Sequence, residues 1–526
     1  MRHPFYSKEP DISQRGRFSP FLFKGTVFST GGYSAEFGQA MSSALILESQ
    51  DLADATSTNI SLMSVGGGAG HEHRWKNTSF GFNTFYANLG PYFKVSKQNT
   101  EWIDNPSSMD GSFIFRQKTS KTGLFKIYGN FDKSHSALFY PDINNLSVKN
   151  KFELDNQNLY VNASFKEILN KNWSLQSGLS FSKNRDDINL NENKISDIDE
   201  YSQVKIKFTR FLGKFSKLKF GGEAGMLNDE ESYNNYDRIH DDKYTSAFSE
   251  VDIYLSSKLV VRVGGRFENS SALNKNNIAP RASLALQTGS HSQLSLAYGK
   301  FYQTPEDKYL KPNTSLDFEN AAHYILNYQI INDKRSFRIE SYYKKYNNLV
   351  KYNPDTLNSG NGFAKGIDIF WRDKQTFKYV DYWLSYSYLD TERDYRDFEN
   401  PAMPTFAMNH TFTTVFKQYI AKINCSYGFT YTFASGRPFY NPNNSDYLSD
   451  RTPNYHNLSM NFSYLTMIKG NFTVFVLSCG NVLGINNIYG YYYSDDGSYR
   501  KPIIATEGRS FFAGMFMSIG RDEFEK

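Results

Sequence analysis

The chain has little of what marks several common protein classes. Its 526 residues include two cysteines, Cys425 and Cys479, too few for a disulfide framework or a zinc site. Apolar runs of about 20 residues, the length a membrane-spanning helix needs, are absent. The longest candidate, Phe472–Leu477, is short and broken by Thr473. An excess of one charge is lacking too: 59 Lys+Arg stand against 54 Asp+Glu, a net of +5. That charge is spread too evenly for a dedicated nucleic-acid binder. Met1–Pro20 carries charges throughout and no apolar core, so it does not read as a secretory signal. An exported chain of this sequence is expected to draw its signal from upstream, or to have lost it.

Aromatic residues, in contrast, are abundant. They make up 17% of the chain, with 44 Phe and 38 Tyr, which excludes a disordered chain. An aromatic-rich, polar, Gly-containing chain with few helix signals points to β-structure. Side-chain period agrees. Val204, Ile206 and Phe208 alternate with Lys205, Lys207 and Thr209. Leu218, Phe220, Gly222, Ala224 and Met226 alternate with Lys219, Gly221, Glu223 and Gly225. Leu259, Val261, Val263 and Phe267 alternate with Arg262, Gly264 and Arg266, and Phe511, Ala513, Met515, Met517 and Ile519 form one apolar row near the C-terminus. One face is mostly apolar and the other mostly polar or small.

The connections carry a second pattern. Tight turns are read at Lys118–Gly123, Ile168–Asn172, Gly213–Ser216, Ser256–Lys258, Gly289–Ser292, Asn332–Lys334, Gln418–Ile420 and Thr466–Gly470. Long polar stretches are read between them, at Lys133–Lys151, Lys183–Asp199, Asp229–Asp242, Gln303–Leu316, Asn347–Asn361, Thr391–Pro404, Ser435–Pro453 and Leu483–Gly508. Antiparallel neighbours joined this way put all short turns on one rim and all long loops on the other. Two faces of opposite polarity and two unequal rims describe an all-β transmembrane antiparallel barrel. Counting from Thr56 gives about 22 strands, the early ones near 57–66, 75–88 and 91–98. Trp75, Trp173, Tyr298, Trp371 and Trp383 are placed for interface girdles. A soluble β-protein with apolar faces packed together is the other reading, but neither a propeller repeat nor sandwich-like loop symmetry is found. A barrel meets lipid only every second residue, so the mean hydropathy of -0.58 excludes only the helical route.

The run Phe28–Ser49 contains Gly31-Gly32-Tyr33-Ser34-Ala35-Glu36-Phe37-Gly38. It resembles the last plug segment of TonB-dependent outer-membrane receptors of the Bacteroidetes type. Pro280–Leu284, Leu296–Pro305, Gly362–Asp368, Ser385–Asp390, Ala434–Tyr440 and Asn481–Gly484 resemble further family segments in the family's order. The resemblance implies a 22-stranded barrel filled by an N-terminal plug. It implies import of a large scarce solute such as a siderophore, cobalamin, oligosaccharide or peptide, energised through the TonB complex. Against that pattern, residues 1–52 are expected to be a remnant of the end of the plug, and 53–526 the barrel. The TonB box and most plug strands are expected from a longer polypeptide, from a separate one, or not at all. A plug-less barrel of this size would leave a wide aqueous lumen.

Candidate sites are few. His71-Glu72-His73 puts two histidines on one strand face, with no third ligand identifiable, so no metal site is assigned. Asp186-Asp187, Asp229-Glu230-Glu231 and Asp241-Asp242 lack the spaced ligands and Gly of a calcium loop and read as solvated loop charge. Tyr233-Asn234-Asn235-Tyr236 and Tyr440-Asn441-Pro442-Asn443-Asn444 read equally as sugar-stacking or as generic loops. Lys205, Lys207, Lys219, Arg262 and Arg266 should point into the lumen, to hold a plug, line a solute path or meet water. No catalytic constellation or cofactor site stands out, so the chain is expected not to be an enzyme, and its substrate-binding residues stay unassigned. The expected partners are outer-membrane lipid, the TonB complex where a plug with a TonB box is supplied, and a separate plug or surface lipoprotein, with no nucleic acid. A non-transporting structural barrel in an envelope or secretion complex is the alternative.

Overall fold

The computed structural model describes residues 22–145, 147–213, 215–310, 315–506 and 508–520. Its dominant feature is a closed barrel of 22 antiparallel strands, running from Ser57–Met63 to Ser510–Ile519. Each strand pairs with the next in the chain, except that Asn471–Gly480 pairs with Ser510–Ile519 across an intervening hairpin, Ile488–Tyr493 with Arg500–Ile504. The last strand closes on the first from Gly514↔Met63 to Ile519↔Thr58. Closure leaves no edge, and in hydrocarbon an unpaired backbone edge has no solvent to satisfy it. The strand count and fold class read from the sequence are those observed.

Outside the barrel wall, strand β1 (Phe23–Ser29) and strand β2 (Ala44–Ser49) form a separate two-stranded sheet. The segment between them, residues 30–43, has almost no regular structure. A short helix, α1 (Gly90–Phe93), stands where the pattern near 91–98 suggests a strand. Pro91 explains the difference, since proline fits the first turn of a helix and cannot donate to a sheet ladder.

The wall is uneven in height. Leu124–Pro141, Lys149–Asn170, Trp173–Leu190, Asn193–Leu212, Ser216–Tyr233 and Tyr236–Tyr254 run 18, 22, 18, 20, 18 and 19 residues. Cys425–Ala434, Asn471–Gly480 and Ser510–Ile519 run 10 each, close to the ~9–11 residues that cross a bilayer. The tall strands consume three stretches expected to be long loops. Lys183–Asp199 and Asp229–Asp242 become hairpins turning at Asn191 and Asn234, both at positive φ (55° and 52°), and Lys133–Lys151 keeps only a short loop. Asparagine tolerates this left-handed conformation, and here each amide bonds the neighbouring turn, Asn191 with Asn150 and Lys151, Asn234 with Asn193 and Lys194.

Alternation assigns the faces. Leu179, Val204, Met226, Val263, Leu296 and Leu477 are exposed on the outer face. On the tall wall a row paired through the sheet, Lys183–Glu200–Asn228–Asp241, starts the polar zone above apolar Leu179 and Val204. Near the short-turn rim Trp173 packs edge-on against Phe208 and Phe220, ring centroids 6.5 and 6.1 Å away, as an interface girdle does. Trp371 lies against Phe337 on the outer parity, but Trp383 has the lumenal parity and carries Arg372 and Lys417 over its ring. Trp383 is therefore not part of the girdle.

Candidate functional site

The site is the inner wall where residues 30–42 dock. Four cationic side chains converge there from three strands because each occupies a lumenal position in its strand's alternation. Lys205 donates to the Glu36 carbonyl at 3.0 Å, and Lys207 reaches both Glu36 carboxylate oxygens at 2.9 Å. Arg266, fully buried, donates to the Glu36 carbonyl at 3.2 Å and is held in place by Glu223, Glu268 (2.7 Å) and the Tyr244 hydroxyl (2.9 Å). Arg281 donates to the carbonyls of Tyr33 (3.1 Å), Phe37 (2.8 Å) and Ser34, its guanidinium 4.8 and 4.3 Å from the centroids of the Tyr33 and Phe301 rings, which themselves pack 4.4 Å apart. Most of these charge-assisted bonds go to backbone carbonyls and fix the path of the segment, while the Glu36 carboxylate adds a side-chain ion pair.

Further contacts continue the seat at either end. The Glu250 carboxylate accepts from the Ala35 N–H at 3.0 Å, while Lys219 pairs with Glu250 at 3.2 Å. His323 Nε2 donates to the Met41 carbonyl at 2.7 Å, and Lys344 donates to the carbonyls of Ser42 (2.9 Å) and Thr30. Thr304 donates from its N–H and its hydroxyl to the Gln39 side-chain oxygen, at 3.1 and 3.0 Å. Glycines make the close approach possible. A Cβ on Gly38 would overlap the Glu268 carboxylate and the Arg266 guanidinium, and Gly32 has φ +61° with Ala297 beneath it. Burial works against the charge on the Glu36 carboxyl, but Lys205 and Lys207 outweigh it and hold its pKa below the usual carboxylate range.

All five cations predicted to face the lumen do so. Lys205, Lys207 and Arg266 touch the docked segment, Lys219 acts through Glu250, and Arg262 bonds Asp252 at 2.6 Å and lies 3.4 Å from Glu250. Arg281, His323, Lys344 and Glu250 escaped the sequence reading. Their lumenal parity was available, but a backbone-carbonyl partner leaves no trace in the sequence.

The other candidates fall apart or move. His71 and His73 share the outer face beside Phe82 and Trp75, whereas Glu72 turns inward to Arg116, so the triplet is split between faces. Asp186, Asp229 and Asp242 are buried on the lumenal side of the tall wall and are not solvated loop charge. Asp186 accepts from Asn156 (2.6 Å) and Asn184 (3.1 Å), and Asp242 from Ser270 (2.8 Å) and the Ala272 N–H (3.1 Å). Asp229 lies with Asp197 and Asp199, their carboxylate oxygens within 4.8 Å of one another. Of the Asn-rich stretches, one is the Asn234 turn, and in the other Asn441 bonds Asp450 and Asn443 bonds the Gly497 carbonyl.

Above the seat the long connections fold inward over the lumen. Leu310, Leu316 and Phe318 of one pack with Leu273 and Val350. Tyr395, Phe398 and Leu448 of two others pack with Tyr346 and Leu349, and Met41 of the docked segment joins them. A cavity of about 670 Å³ opens between Tyr455–Ile468 and the 481–509 connection.

A closed 22-stranded barrel with an apolar outer face, a polar lumen and a segment seated inside is the architecture of bacterial outer-membrane transport proteins. A family model described as TonB dependent receptor-like, beta-barrel matches residues 81–488. The chain belongs to that family, which places it in the outer membrane with a TonB partner, the short-turn rim periplasmic and the long loops outside. Solved structures share the fold. The FrpB iron transporter from Neisseria meningitidis (F3-3 variant) aligns with TM-score 0.75 at 10% identity, over 96% of this chain and 89% of that one. BauA, the ferric preacinetobactin receptor from Acinetobacter baumannii, gives 0.75 at 10%, over 97% and 87%. The outer membrane transporter YddB from Escherichia coli gives 0.73 at 9%, over 95% and 85%. At such identities the likeness speaks to fold alone. No curated protein matches the chain.

Proposed function

We propose that this barrel imports a large, scarce solute, such as a siderophore, cobalamin, oligosaccharide or peptide, under TonB control. In this reading residues up to 52 are the end of a plug and residues 53–526 its barrel. The remainder of the plug comes from upstream sequence or a separate polypeptide. The observation that carries the proposal is the seat itself. Arg266, Arg281, Lys205, Lys207 and Lys344, from four strands, hold the 30–42 segment through its backbone carbonyls and the Glu36 carboxylate, a fixed anchor against which the rest of a plug can be moved. The Gly31–Gly38 signature supports the Bacteroidetes type. The tall wall, standing beyond the membrane, supports a surface partner such as a lipoprotein.

The test compares parent, deletion and TonB-null strains for growth on single scarce solutes: ferric siderophores, cobalamin, oligosaccharides and peptides. One solute should require both this gene and TonB. If no solute does, and deletion instead dissolves a stable envelope complex, the structural-scaffold alternative replaces import.

A further inference from the structure

The cavity beside the 481–509 connection is lined by uncharged groups and one cation. Arg437 is the single charged side chain among the described residues that line it. Its backbone is fixed, since its N–H donates to the Thr452 hydroxyl and its carbonyl accepts from the Thr452 N–H, both at 2.9 Å. Its guanidinium lies 5.3 Å from the Tyr489 ring centroid, and Tyr489 in turn lies 6.2 Å from Tyr455 at 41° between planes. Arg281 is taken up by backbone carbonyls of the docked segment, while Arg262, Arg372 and Arg396 sit on carboxylates, those of Asp252, Asp381 and Glu306. Among the described residues Arg437 meets none. Nor does Asn486, on the same wall, have a hydrogen-bond partner among them.

The positions matter as much as the residue types. Tyr455, Asn457 and Ser459 have lumenal parity, opposite to the outward Met460 and Phe462, so the cavity faces the lumen and not lipid. Its volume falls in the range of about 300–1,000 Å³ typical of small-molecule sites. A guanidinium presents planar paired N–H donors that match an oxyanion, and a neutral surround leaves that charge uncompensated. The adjoining tyrosine faces suit a flat or sugar ring.

We propose that this cavity is a solute-recognition site for an oxyanion, a carboxylate or phosphate carried on a ring, with Arg437 as the anion ligand and Tyr455 and Tyr489 as the ring platform. The proposal rests on the import reading and narrows its substrate class to anionic, ring-bearing solutes.

The test is binding to the purified full chain in detergent micelles by saturation-transfer NMR titration. The probes are salicylate and glucuronate (carboxylates), glucose 6-phosphate (phosphate), and salicylamide and glucose (neutral counterparts). Either anion class, or both, should bind about tenfold or more tightly than its neutral counterpart, and which class does so sorts carboxylate from phosphate. Arg437→Gln should remove that preference, and Arg437→Lys should keep only part of it, retaining charge without the planar fork. Equal binding of anionic and neutral probes, no binding of any anion, or an unchanged preference in Arg437→Gln overturns the site. Heat-modifiable gel migration checks that each variant is folded; should Arg437→Gln fail it, the wild-type preference and Arg437→Lys decide. Binding in micelles needs no TonB, so a failed site with intact TonB-dependent uptake leaves the import reading standing, and the converse result removes only import.

Discussion

At the scale of single residues, the seat depends on one acid and one absent side chain. Glu36 lies between Lys205 and Lys207 with 14% of its side chain exposed. Glu36→Gln removes that ion pair and should weaken docking of residues 30–42 by about 1–3 kcal/mol, read as faster amide hydrogen exchange in that segment. The pH dependence follows from the depressed pKa. A carboxyl whose folded pKa lies below its ordinary 4.5 contributes fully above that value, and the contribution is lost as pH falls through the folded pKa. The opening free energy of 30–42, from exchange rates divided by their intrinsic pH dependence, should therefore be flat from about pH 5 to 8 and fall only below about pH 4, with Glu36→Gln lacking the fall. An opening midpoint near neutrality would contradict the assignment. Gly38→Ala acts differently, forcing a methyl into the Arg266–Glu268 pair, and should cost about 1–3 kcal/mol of docking without changing the pH profile.

At the scale of elements, the tall strands show where pattern is informative. Leu259–Ser270 was legible because one face of it reads lipid and the other water, and Lys205, Lys207 and Arg266 could be placed in the lumen by that same parity. The upper part of Tyr236–Tyr254 was not legible, because above the membrane both faces are polar. His240 and Asp242 point in while Asp241 and Lys243 point out, so period two persists with no contrast in hydropathy to reveal it. The docked segment was visible as a signature, but most of its acceptors are backbone carbonyls between Thr30 and Ser42, which no side chain announces. Turn geometry makes this scale testable. Asn234 turns the hairpin at φ 52° and its amide bonds the Lys194 N–H and the Asn193 side chain, so Asn234→Gly, which keeps the turn and loses those bonds, should cost about 1 kcal/mol or less, and Asn234→Ile about 1–2 kcal/mol more, seen as faster hydrogen exchange in 228–241 and nowhere in the lower barrel.

At the scale of the whole molecule, the membrane and not a packed interior sets what each position tolerates. The outer face changes from Leu179 and Val204 to Lys183 and Glu200 within two rungs, and Lys183 and Glu200 form an ion pair there. If this row marks the outer membrane surface, two substitutions four residues apart on one strand should differ sharply. Leu179→Lys puts a charge into hydrocarbon and should lose up to about 2–4 kcal/mol of folding free energy in a urea titration into phospholipid vesicles, less the nearer the site lies to the interface. Lys183→Leu removes an exposed pair worth about 0–1 kcal/mol and should shift the same titration little. In detergent micelles, which adapt to the protein's outline, the contrast should shrink. Equal effects at both positions in vesicles would place the membrane surface elsewhere on the wall. The height of the tall strands beyond that surface would then need to be redrawn, and with it the area open to a partner from outside.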